Sequence, residues 1–341
     1  MSYNNQVDTL TLEYIAPRVV DTVLRANRFT TKMLSKTKDF RAATIDFPIK
    51  YQKGTATQSM SGFDTLATSF TDTRILLKFN PRYNTANVAL AVTDIAANST
   101  PAKVLDLTEV EMMSRAQDLA DSIGTQLYAD GTGNANKDFL GLANLVDDTA
   151  SIGGLSRSTY STLASTNTAA SSGLLTLFKM RTMYNAIADG TTIPSEVYTD
   201  YASWALFETL LQPQEKINKE VNLASNFKGY SGFDAIVFAG LPIIPDRKST
   251  TGVMWFLNTD YINFYGLKTL VADGMSGKPV KVGTKLFAGN DYDEASNLGF
   301  FWTGWIKSTN QLAYNSFMVV GGNLVTDNPR RHGKLTGITG V

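Results

Sequence analysis

Residues 45–79 read IDFPIKYQKGTATQSMSGFDTLATSFTDTRILLKF. Apolar side chains alternate on the way in (Ile45, Phe47, Ile49, Tyr51) and again on the way out (Ile75, Leu77, Phe79). This period-two pattern predicts two half-buried strands paired as a hairpin. Pro48 removes a backbone donor, which suits an edge or free-standing ribbon. The stretch between the strands is rich in Gly, Ser, Thr, Ala and Gln, and far exceeds the loop of about two to five residues that a hairpin needs. Met60, Phe63, Leu66 and Phe70 are set singly within it. The plain alternative is a flexible surface loop. Ordering such an arm costs about 1–2 kcal/mol per residue, so the four apolar residues are expected to recover that cost against a neighbouring molecule.

The chain of 341 residues is long enough for two domains or one core with insertions. Lys plus Arg equals Asp plus Glu at 31 each, so no global charge draws it to nucleic acid or membrane. The balance is uneven: residues 1–41 carry a net +3, residues 328–341 another +3, and the body −6. Solvated tails explain this simply; the sharper expectation is that both ends face a polyanion. With no cysteine and one histidine, disulfides, Cys/His zinc sites and thiol catalysis are excluded. The start, MSYNNQVDTL, lacks the build of a signal peptide, and no apolar run approaches the ~18–20 residues of a membrane helix. A soluble protein made in a cytoplasm is expected.

Along the chain, YIAPRVVDTVLRANRF predicts a short amphipathic helix with Pro17 in its first turn and Val19, Val20, Val23, Leu24 and Asn27 on one face. TANVALAVTDI reads as a third strand with Val88, Leu90 and Val92 on one side. Met112, Ala116, Leu119, Ile123 and Leu127 then recur at helical spacing, predicting a long spine helix over about 104–129, capped by Ser99 or Thr100 and ended by Gly131. Residues 151–173 read as a loop. The pattern beyond is α/β: helices over 173–188 and 201–211, strands at SEVYTD, AIVFAG, LPIIPD and VMWFLN, then GFFWTGWI, SFMVVGGNLV and a basic polar tail.

Catalytic chemistry finds little support. His332 lies in that tail beside two arginines, and GYSGF (229–233) lacks the second glycine of a nucleophile elbow. GMSGKP (274–279) has proline where a phosphate loop needs Ser or Thr. DGTGNANKD (130–138) and GNDYDEASN (289–297) resemble calcium loops but lack the glycine or late carboxylate of one. Trp302 and Trp305 could stack on sugars, yet their apolar strand makes them core residues. No catalytic residue, metal or cofactor is assigned.

The order of the pieces is more specific than any motif. IAPRVVDTVLRANRF leading to ATIDFPI, TDTRILLKF leading to the spine helix, YADGTGNANKDFLGLANLVDD, and the closing WTGWIKSTN and GGNLVTDNPRRHGKL together resemble the major capsid protein of tailed bacteriophages, the HK97-type fold. The resemblance covers essentially the whole chain. It implies an α+β fold with an N-terminal arm (1–40), an extended β-hairpin loop lying across the adjacent subunit (41–82), a P-domain with the spine helix (83–134 and 300–341) and an α/β A-domain (135–299). Residues 266–299 could belong to either domain. It further implies self-assembly into pentamers and hexamers, an icosahedral virion shell enclosing double-stranded DNA, and assembly in the host bacterial cytoplasm. A portal and separate scaffolding or decoration proteins are the other implied partners, and no membrane. Met60, Phe63, Leu66 and Phe70 would make the loop's subunit contacts, and Arg330, Arg331 and Lys334 would face the interior and its DNA. Two features depart from the family's pattern. No charged scaffolding segment precedes the arm, so any scaffold is expected to be a separate protein, or none is used. Lys50, Lys53, Asn323 and Asn328 sit in no motif that would transfer the family's lysine–asparagine bond. The alternatives are an encapsulin-type compartment around a protein cargo, and an α/β enzyme.

Overall fold

The computed structural model describes residues 27–40, 42–54, 57–66, 68, 70–97, 107–170, 173–211, 236–267, 300–302 and 305–340. The expected arm helix up to residue 26, the caps Ser99 and Thr100, the turns at 229–233 and 274–279 and the acidic loop 289–297 lie outside them. The description begins at α1 (Arg28–Ser35), which buries Phe29, Met33 and Leu34. Asn27 does not sit on an apolar helix face as expected. It is the cap of α1, its side-chain oxygen accepting the Thr30 N–H at 3.1 Å.

β1 (Lys38–Phe40) leads to β2 (Ile45–Lys50) and β3 (Arg74–Phe79), the predicted hairpin. Its antiparallel register sets Ile45 opposite Phe79, Phe47 opposite Leu77 and Ile49 opposite Ile75, so the alternating apolar residues share one face. That face is buried at the root, by Ile45, Leu77 and Phe79, and becomes half-exposed outward at Ile49 and Ile75. The two strands pair only with each other, which accommodates Pro48. Gly153 presses on the root: its carbonyl accepts the Lys78 N–H at 3.1 Å, its φ is +53°, and a Cβ there would meet Leu77 at 3.0 Å.

β4 (Arg82–Ala91) follows and buries Val88 and Leu90. Val92 does not extend this strand. The pairing ends with Ala91 opposite Ala313, and Val92 opens α2 (Val92–Ala97). The spine is α3 (Leu107–Gln126), about 30 Å long. It stops at Gln126 rather than near 129, where the Tyr128 N–H turns back to Thr125 O. Ala116, Leu119 and Ile123 bury the predicted stripe, and Leu127 continues it just beyond the last turn. Arg115 pairs with Glu111 and Asp118 on the outer side.

β5 (Thr166–Ala169), α4 (Leu177–Ile187), β6 (Glu196–Thr199), α5 (Tyr201–Leu211), β7 (Ile236–Phe238), β8 (Leu241–Pro245), β9 (Met254–Leu257) and β10 (Ile262–Leu267) come next. The expected loop 151–173 therefore contains a strand, β5, and the helix expected from 173 begins at Leu177, where Thr176 Oγ1 accepts the Lys179 N–H. β11 (Phe300–Trp302), β12 (Ile306–Lys307), β13 (Ala313–Thr326) and β14 (Gly333–Thr336) complete the order.

The strands form two six-stranded sheets beside the hairpin. In the first, β13 pairs antiparallel with β4 along one edge and with β10, β11 and β12 along the other, and β1 lies parallel to β10. The second runs β5-β14-β9-β6-β8-β7. Its side chains alternate between two cores. Val197, Ile243, Met254 and Phe256 pack with Met180, Met183 and Ile187 of α4 and Phe207 of α5. Tyr198, Ile244, Trp255 and Leu257 turn to the other face and join the larger core of α1, α3, β4, β10, β13 and the hairpin root. Burial on both faces accounts for the unbroken apolar runs of β8 and β9.

The basic tail is corrected by β14. Residues 333–336 are an interior strand, parallel to β5 and antiparallel to β9, because those neighbours satisfy a backbone that the sequence alone leaves polar. The sheets also cross the expected division of the chain. β10 lies within 135–299 but belongs to the first sheet, and β14 lies within 300–341 but belongs to the second.

Candidate functional site

The hairpin presents two unlike surfaces, its tip and a groove beside the outer end of β2. At the tip, Met60 is 61% exposed, Phe63 105%, Leu66 57% and Phe70 93%, so the two aromatics stand clear of their own body and Met60 and Leu66 are more exposed than covered. The turn there is held locally: Asp64 accepts the Ser61 N–H at 2.6 Å, and Gln58 donates to Thr65 O at 3.1 Å. Burying an aromatic or aliphatic side chain fully is worth about 1.5–3 kcal/mol, so the tip holds a reserve of binding energy that this subunit does not use.

Beside the outer end of β2, a groove of about 600 Å³ opens between residues 48–53 and the segments 162–163, 189 and 327–331. Lys50 and Lys53 line it from the hairpin, Arg330 and Arg331 from the opposite wall, and Asp189 and Asp327 supply the acids. Arg331 donates to Asp189 at 2.8 Å. Burial raises the Asp327 carboxyl above the usual range, against the pull of Lys38. Tyr51 braces the wall edge-on against Tyr160, ring centres 5.2 Å apart.

The three predicted basic residues separate. Arg330 is exposed on the groove rim. Arg331 is held by Asp189. Lys334 is only 12% exposed, donates to Asp147 at 2.6 Å and lies 5.9 Å from the Trp255 ring centre. Burial alone would raise Asp147, but Lys334 and the N–H groups of Ala150 and Thr149 hold it at about 2. Lys334 is therefore held in an ion pair within the subunit.

The histidine is structural too. His332 is fully buried, and burial lowers it to about 3. Its ring bonds to the Thr326 hydroxyl at 3.0 Å and to the Asn258 N–H at 3.3 Å, all inside the core. Among the described residues no three His, Cys, Asp or Glu side chains could hold a metal. In the 130–138 loop, Asp130 accepts from Thr132, Asn134 donates to Asp138 at 2.6 Å, and Arg82 occupies the carbonyls of Gly131 and Asp138, leaving no ring of oxygens for calcium. Trp305 packs against the larger core; the Trp302 side chain lies outside the described residues.

Sequence reasoning missed two buried polar centres. Arg157 donates to the carbonyls of Leu163, Asn144, Ala150 and Leu145, stapling the loop above the hairpin root, and burial lowers it to about 10. Asp246 accepts the N–H groups of Phe29 and Lys248, each at 3.0 Å, and burial raises its carboxyl. Lys32 donates to Glu196, which also accepts from Tyr198 at 2.7 Å. These bonds lock α1 onto the second sheet, while Lys248 to Asp121, 2.8 Å, locks the spine to it. Only the clustering of acids after strand ends could have signalled them.

No protein-family model and no curated protein matches this chain. Solved structures do. A chain of the cyanophage A-1(L) capsid asymmetric unit is similar over 97% of this chain and 98% of its own, with a TM-score of 0.73 and 15% identity. The capsid of an empty GTA particle matches over 98% and 97%, with a TM-score of 0.62 and 9% identity. The SrpI encapsulin of Synechococcus elongatus PCC 7942 matches over 97% and 94%, with a TM-score of 0.59 and 10% identity. What is shared at such identities is the fold: the chain has the α+β HK97-type architecture of protein shells.

Proposed function

We propose that this chain is the major capsid protein of a tailed bacteriophage, a structural protein that assembles with copies of itself into pentamers and hexamers of an icosahedral shell around double-stranded DNA. One observation carries the reading: a chain with a shell fold along its whole length extends an arm whose apolar tip is exposed. Such a tip is completed by another subunit. Its contact with a different surface of the neighbour is heterologous, and heterologous contacts close into rings. Rings then join through many modest contacts acting together.

In this reading residues 1–40 are the arm and 41–82 the loop across the neighbour. Residues 83–134 and 300–341 form the P-domain, and 135–299 the A-domain, with β10 and β14 exchanged between their sheets. The shell is assembled in the bacterial cytoplasm, with a portal and any scaffolding or decoration protein as separate partners, and the chain's role is structural rather than enzymatic.

The similarity to an encapsulin favours a second reading, a compartment around a protein cargo. Negative-stain microscopy of the purified protein tests both. Closed icosahedral particles support a shell, and a monodisperse monomer at assembly concentrations refutes it. Particles copurifying with a stoichiometric enzyme select the compartment; particles that package duplex DNA when coexpressed with the phage machinery select the capsid.

A further inference from the structure

The arm's tip and the groove beside β2 are complementary. Residues 54–73 contain Asp64 and Asp72 and no basic residue. The groove sets four bases, Lys50, Lys53, Arg330 and Arg331, against two acids, Asp189 and Asp327. The tip's exposure shows that it does not fill its own subunit's groove. We infer that the tip of one copy seats in this groove of the next, with Asp64 facing the Lys53 and Arg330 rim. This rests on the assembly reading above and names the acceptor surface that reading leaves open.

The groove's own acids distinguish this occupant from a nucleic acid. A phosphodiester only accepts, and Asp189 and Asp327 would repel it. Because donor tip and acceptor groove are different patches of one chain, the contact repeats head to tail around a ring.

Charge reversal tests the pairing. Asp64→Lys alone, and Lys53→Glu with Arg330→Glu, are each expected to cut shell yield by about tenfold or more while leaving the subunit's melting temperature unchanged. The chain carrying all three changes is expected to recover yield to within about threefold of the original. Normal shells from the Lys53→Glu/Arg330→Glu chain, when deletion of 54–70 abolishes them, would overturn the groove as acceptor and leave the assembly reading standing. Unchanged shells from the deletion as well would remove both. Loss of duplex-oligonucleotide binding by the groove variant at unchanged shell yield would reassign the groove to nucleic acid and overturn the proposal.

Discussion

Thr326 and His332 share a hydrogen bond of 3.0 Å inside the protein, between the end of β13 and the start of β14. His332 Nδ1 accepts the Asn258 N–H at 3.3 Å, so the ring proton lies on Nε2, which donates to Thr326 Oγ1. Both nitrogens are used by the neutral ring, and a second proton would break the bond to Asn258.

A pH dependence follows. The folded His332 titrates at about 3 and an unstrained histidine at 6.5, so between those values the unfolded chain binds a proton that the fold refuses. Stability is complete above the upper value and falls toward the lower one, by up to about 1.4 kcal/mol per pH unit. His332→Gln removes the titrating ring; urea melts across this range should show a shallower slope than the original. Equal slopes would clear His332 of the effect.

The tip separates folding from assembly. Phe63 contacts nothing in its own subunit, so Phe63→Asp should leave thermal stability within about 0.5 kcal/mol of the original. Light scattering should show assembly reduced by about tenfold, as expected from losing an aromatic contact and burying a charge in its place. Parallel losses in both measurements would mean the tip packs on its own body.

Gly153 fixes the attitude of the arm. Gly153→Val adds a side chain at φ +53° into contact with Leu77 at 3.0 Å and the Lys78 nitrogen at 3.1 Å. A cost of about 1–3 kcal/mol is expected, concentrated at the hairpin root. Hydrogen exchange at the Lys78 amide, which bonds to Gly153 O, should accelerate before that of the spine helix.

Lys334 and Arg330 should behave oppositely despite their shared charge. Lys334→Ala strips a half-buried carboxylate of its partner and should lower stability by about 1–3 kcal/mol. Arg330→Ala, at an exposed site, should stay within about 0.5 kcal/mol in the same thermal melts.

Much of this architecture is legible in sequence because its signals are local. The hairpin register follows from alternation at Ile45, Phe47, Ile49, Ile75, Leu77 and Phe79, and the spine from a stripe that three turns of helix bury. The tip residues stand out because they interrupt a polar run. What escaped reading depends on distant partners. GKLT at 333–336 is too short and polar to show a period, and becomes a strand only between β5 and β9. KDF at 38–40 becomes one only beside β10. The groove is assembled from the hairpin, 162–163, Asp189 and 327–331, which no spacing rule connects. Its basic rim was visible residue by residue, but its juxtaposition with Lys50 and Lys53 was not.

β14 also imposes an order of events. The second sheet holds this late strand between β5 and β9, parallel to the one and antiparallel to the other, and His332 is buried beside it. A growing chain cannot finish that sheet until residue 336 has left the ribosome, and this distant pairing makes closure slow relative to the spine and hairpin. If the chain assembles as proposed, polymerisation is thereby withheld from incomplete copies: a chain cut short before 333 would display the exposed arm but lack the finished wall proposed to receive its neighbour's.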